Sequence, residues 1–116
     1  MPKVTIYHNP RCSKSRQTLE LIRGKGIEPE VIEYLKTPPS AIELKRILTL
    51  LDLKPRDLLR KNEPEYRTAG LDADDLSDNA IVEAMVSHPR LIERPIVLKD
   101  GKAVVGRPPE NVKKIL

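Results

Sequence analysis

The stretch that decides the fold opens with Lys3-Val4-Thr5-Ile6-Tyr7-His8-Asn9-Pro10-Arg11-Cys12. Residues 3–7 alternate and carry β-branched side chains, which reads as a strand. A turn follows at His8-Asn9-Pro10-Arg11. From Ser13 to Lys25 the pattern is helical, with Leu19 and Ile22 on one face and Gly24 and Gly26 as stop signals. Residues 30–35, Glu30-Val31-Ile32-Glu33-Tyr34-Leu35, read as a second strand. Strand, helix and strand within about 30 residues make a βαβ unit, so the two strands are expected to be parallel.

Working outward, the middle of the chain changes to helix. Ser40-Ala41-Ile42-Glu43 has the form of a capping box, and Leu44, Ile47, Leu48 and Leu51 continue a helical stripe. Pro55 suits the first turn of a short helix running through Leu59. Ser77-Asp78-Asn79 can cap a helix bearing Ile81, Val82, Met85 and Val86, which His88-Pro89 ends. The charged stretch Lys61 to Leu76 between them is expected to be irregular and mobile. Strand character returns at Ile96-Val97-Leu98 and Ala103-Val104-Val105, joined by Asp100-Gly101, a hairpin signal. Pro108-Pro109-Glu110 opens a last short helix. The order predicts an α/β fold, one domain over residues 1–116: a central mixed four-stranded sheet with a helical insertion, about 40–90, before the third strand.

Composition narrows the function. The 116 residues are 39% hydrophobic, without Phe or Trp, so stacking of nucleic-acid bases on aromatic platforms is not expected. Lys and Arg number 21 against 17 Asp and Glu, a net charge of +4 with no basic run, which suits a small anionic ligand. No stretch is long and apolar enough to span a membrane, and the Met1-Pro2-Lys3 start lacks signal-peptide character. One cysteine permits no internal disulfide, and a cytoplasmic monomer is expected. Two histidines and a single cysteine make no zinc site, so no metal or bound cofactor is expected.

Cys12 is the residue with chemistry. The turn after the first strand of an α/β unit lies at the carboxyl end of the sheet, where ligands bind. It also lies at a helix N-terminus, whose free N–H groups and dipole favour an anion. Thiols so placed fall from a pKa of about 8.5 to as low as about 3.5–7.5, and the thiolate is the nucleophile. A buried cysteine acting as a small hydrophobe is the alternative, but His8, Arg11, Lys14 and Arg16 within four residues argue for reactivity. A tyrosine-phosphatase loop would place Arg where Thr18 stands, and a dithiol motif would place Cys at Ser15. The site has one thiol and cannot discharge a covalent adduct unaided.

His8-x3-Cys12-x3-Arg16 after the first strand resembles the glutaredoxin-linked arsenate reductase family (ArsC-type), short-chain members, and the resemblance runs from Val4 to Leu116. It implies a thioredoxin-like fold. It also implies that Arg60, Arg94 and Arg107 bind the substrate oxyanion, and each stands at a predicted element boundary. Arginine suits a tetrahedral anion because its fork donates paired hydrogen bonds and keeps its proton. Pro95, at the start of the strand beside the cysteine, is implied to follow a cis bond; an ordinary trans proline opening a strand is the alternative. His8 either supports the thiolate or caps the first strand, and His88 reads as a helix-terminus residue. Ser15 and Arg16 complete the supporting set.

The reaction this implies is reduction of arsenate to arsenite, an oxidoreductase activity in arsenic detoxification. Cys12 would be the catalytic nucleophile, with glutathione as co-substrate and glutaredoxin as reductant. Two other readings remain: a glutathione-dependent thiol reductase of the same fold with another substrate, and a non-enzymatic Spx-like regulator. The regulator type carries a Cys-x-x-Cys switch, which Ser15 interrupts.

Overall fold

Alternation in Val4-Thr5-Ile6 and the apolar bulk of Tyr7 carry β1 (Val4–His8) through the centre of the sheet, one residue later than the sequence pattern suggested. The computed structural model describes residues 3–116. Cys12 begins α1 (Ser13–Gly24), and Lys25 and Gly26 close its last turn on the carbonyls of Ile22 and Arg23. Gly26 takes φ +77°, the left-handed conformation that glycine adopts at least cost. β2 (Glu30–Glu33) is shorter than expected, because Tyr34-Leu35-Lys36 turns back on itself. The amides of Lys36 and Thr37 both bond the Glu33 carbonyl there.

The sheet is four-stranded and mixed, in the order β2-β1-β3-β4. β1 pairs with β2 in parallel and with β3 (Ile96–Lys99) antiparallel, and β3 pairs antiparallel with β4 (Lys102–Val105). The hairpin between β3 and β4 turns on Asp100 and Gly101, at φ 52° and 70°, the two positive angles of a type I′ turn. The last short helix expected after Pro108 is present as a 3₁₀ helix, Pro109–Lys114.

The chain divides into two compact units. The first comprises residues 3–37 and 94–116. Its core joins Val4, Ile6 and Val97 of the sheet to Leu19 and Ile22 of α1 and Val112 of the 3₁₀ helix. Burying each such aliphatic side chain is worth about 1.5–3 kcal/mol, so six of them anchor α1 firmly to the sheet.

The second unit, residues 38–93, lies between β2 and β3 in sequence. α2 (Ala41–Leu51) is capped by Ser40, whose Oγ accepts from the Glu43 amide at 3.1 Å. α4 (Asp78–Ser87) is capped in the same way by Ser77. Leu44, Ile47, Leu48, Ile81, Val82 and Met85 are buried, whereas Leu51 and Val86 are partly exposed. Pro55–Leu58 and Pro89–Leu91 are single 3₁₀ turns. The stretch 61–76 is not wholly irregular: Pro64–Thr68 forms a short helix, α3. Among the described residues no helix is long and apolar enough to cross a membrane.

Candidate active site

Cys12 is the N-cap of α1, with extended backbone (φ −95°, ψ 123°), and its thiol is free and only 9% exposed. Its amide bonds the Asn9 carbonyl at 3.0 Å, and its carbonyl accepts the first helical bond from the Arg16 amide. The first turn of α1 holds no acidic residue, so nothing opposes the helix N-terminus as a place for negative charge.

The turn that carries the thiol is tied down from several sides. Asn9 Oδ1 accepts from the Arg11 amide at 3.0 Å, and Arg16 Nη1 donates to the Pro10 carbonyl at 2.9 Å. Ser15 is fully buried; its Oγ accepts from the Asn9 amide at 3.0 Å and lies 2.6 Å from His8 Nδ1. His8 and Ser15 thus form a buried polar pair beneath the turn, and His8 ends β1 instead of opening the turn.

Burial pushes the His8 imidazole below its ordinary 6.5, Glu33 pulls it back up, and Arg23 and Arg16 add to the lowering. A folded pKa below the unfolded one means that protonation favours unfolding. Stability held above about pH 6.5 is therefore lost as the pH falls through the lower, folded value. An NMR titration of the His8 ring is expected to show a midpoint below 6.5. Denaturant stability should drop between neutral pH and pH ~5. A midpoint above 6.5 would contradict the buried neutral imidazole.

Strand register brings further predicted residues to the same end of the sheet. Tyr7 of β1 pairs with Ile96, and Ile96 pairs with Val105. Arg94 and Pro95, just before β3, and Arg107, just after β4, therefore lie at the end where β1 runs into the Cys12 turn. The Arg94–Pro95 bond is cis, as expected; Arg107–Pro108 is cis as well, which the sequence did not suggest. Arg94 is half-buried, with Nε and Nη1 fully covered, while Arg107 is exposed.

Gly106 is the residue the sequence reading passed over. Its amide bonds the Pro95 carbonyl at 2.8 Å. A Cβ there would come within 2.6 Å of Thr18 Oγ1 and 2.8 Å of Pro95 Cγ. Thr18, fully buried, donates to the Lys14 carbonyl at 2.8 Å. Only a glycine lets the strand before Arg107 pack against Pro95 and α1. Nothing local signals this, because the contact joins residues 88 positions apart.

Arg60 belongs to the second unit, just beyond the Pro55–Leu58 turn. Its Nη1 donates to Glu63 at 2.8 Å, and its Nε lies 3.7 Å from Glu93. Glu63 also accepts from Arg90 at 3.2 Å. The first of these carboxylates, three residues along, was visible in the sequence; the second was not.

A mixed sheet whose first strand delivers a lone cysteine to a helix start, beside a cis-proline, defines a thioredoxin-like single-thiol protein. The family model described as the ArsC family matches residues 7–115, and the chain belongs to that family. It is 50% identical over 115 residues to an uncharacterized protein, YfgD, of Escherichia coli K12, covering 98% of this chain and 97% of that one. It is 49% identical over 117 residues to an arsenate reductase of Neisseria meningitidis, covering the whole of both. In structure it matches an arsenate reductase from Vibrio cholerae at 52% identity and a TM-score of 0.96, over 98% of each chain.

Proposed function

We propose that the protein reduces arsenate to arsenite with Cys12 as nucleophile. The observation that carries this is the free thiol of Cys12, the residue at the start of α1 and the carboxyl end of β1, in a chain 49% identical to an arsenate reductase along its whole length. Arg94 and Arg107 hold the oxyanion, their fixed positive charge offsetting that of the arsenate. Arg60 is the third anion-binding arginine, a role supported by its sequence position alone. His8, Ser15, Arg16 and Pro95 support the turn that aims the thiol.

Cys12 Sγ attacks arsenic, an S–As bond forms, and one oxygen leaves as water after taking up protons. Glutathione then gives up its thiol proton and attacks Cys12 Sγ. An S–S bond forms, the S–As bond breaks, and its electron pair leaves with arsenic, now trivalent arsenite. The Cys12–glutathione disulfide returns to the thiol by exchange with glutaredoxin, which becomes oxidised in turn.

With no second cysteine in the chain, turnover depends on an external thiol. Glutathione with glutaredoxin is expected to sustain arsenite production, whereas a thioredoxin system alone supports less than about a tenth of that rate. Equal rates from thioredoxin alone would overturn the proposed thiol sequence. No arsenite under either regime would overturn arsenate as substrate.

A further inference from the structure

We propose that Glu63 competes with the oxyanion for Arg60: its carboxylate holds the guanidinium while no anion is bound and falls back on Arg90 when one arrives. Glu63 thereby sets the anion affinity without touching the reacting atoms. This rests on the reading that Arg60 binds the oxyanion and adds to it the residue that tunes that binding.

Backbone pairing fixes Arg60 first. Leu59 bridges Ile92, the Arg60 amide bonds the Leu91 carbonyl at 2.7 Å, and the Glu93 amide bonds the Leu58 carbonyl at 2.9 Å. Glu63 stands at the N-cap of α3, where a carboxylate commonly accepts from the helix amides. Its side chain makes no such bond. Oε1 accepts from Arg60 Nη1 at 2.8 Å instead, and Oε2 accepts from Arg90 Nη2 at 3.2 Å. Water reaches little of the pair: the Arg60 side chain is 20% exposed and that of Glu63 15%.

A guanidinium offers a tetrahedral oxyanion the same paired donors that it offers a carboxylate. An anion on Arg60 with Glu63 still in place sets two negative groups against each other across one fork, and Glu93, 3.7 Å from Nε, adds a third. Releasing a shielded carboxylate with no other partner is costly. Here Arg90 already holds the second oxygen of Glu63, so the exchange strands no charge. Glu65, whose Oε2 lies 3.8 Å from Arg90 Nη1, helps keep Arg90 in that place. Apparent affinity falls with the fraction of molecules in which the binding group is available, so a pair closed about nine-tenths of the time weakens the anion about tenfold.

The test is a titration of the full chain with inorganic phosphate, followed by the Arg60 Nε–H resonance and by backbone amide shifts. Glu63→Gln is expected to tighten phosphate binding about tenfold. Glu65→Gln, the same change in net charge placed on Arg90, should tighten it less than about twofold. Arg60→Ala is expected to weaken binding, and Glu63→Gln to add nothing in that background. A purely structural role for Glu63 would loosen binding when it is replaced. That result, equal tightening by Glu65→Gln, or tightening that persists without Arg60 would each overturn the proposal. If Arg60→Ala leaves the dissociation constant unchanged, the anion-binding role of Arg60 falls and the proposal with it. If Arg60→Ala weakens binding but Glu63→Gln does not tighten it, the competition alone is overturned.

Discussion

Cys12→Ser is expected to abolish arsenite formation, with a loss of at least roughly a thousandfold under glutathione and glutaredoxin. Two separate steps fail. A hydroxyl at a helix start stays protonated near neutral pH, so the attack on arsenic loses its nucleophile. Even an arsenate ester on serine would be a dead end, because oxygen cannot accept a glutathionyl sulfur and release the electron pair to arsenic. The substitution exchanges sulfur for a smaller oxygen at a position only 9% exposed, so the protein should remain folded. Since the chain has no other cysteine, more than a tenth of wild-type activity in this variant would remove thiol chemistry from the account.

The arginines come next in size. Losing one charge-assisted contact to an oxyanion costs about 1.5–3 kcal/mol, or roughly one to two orders of magnitude in rate. Arg94→Ala and Arg107→Ala are each expected to lower kcat/KM for arsenate within that range, Arg94 at the upper end. Its guanidinium is partly covered, with Nε and Nη1 buried, so water screens its charge less than that of the exposed Arg107. Arg94→Ala also empties a half-buried site, so its thermal melt must be compared with that of Arg94→Lys. The thermal melt of Arg107→Ala is compared with that of Arg107→Lys in the same way. Losses below threefold in both variants would show that neither guanidinium holds the anion.

The first half of the sheet was readable because local rules coincide there. β-branched alternation, a proline-containing turn and glycines after the helix all act within a few residues. Tyr34 and Leu35 misled the reading of β2. Both have strand character, yet they lie in the turn after β2, where Tyr34 is nevertheless 2% exposed. α3 gave no periodic signal, since none of its five residues is buried. A proline in its first turn and the ion pairs that Glu63 and Glu65 make with Arg60 and Arg90 are local or lateral supports.

The site followed the same division. Cys12 was recognisable from its place after a strand and before a helix. The buried His8–Ser15 pair was half-readable, as residue types without their bond. The packing of Gly106 against Thr18 and Pro95 was invisible, because it exists only once β4 lies beside α1.

The most direct test of the central claim is a single turnover without glutaredoxin. Wild-type protein is mixed with arsenate and glutathione, arsenite is counted, and the protein is analysed by mass spectrometry. The account predicts one arsenite per chain and one glutathionyl group on Cys12, neither appearing when arsenate or glutathione is omitted. Arsenite released while Cys12 stays free, or glutathionylation that proceeds equally without arsenate, would contradict it.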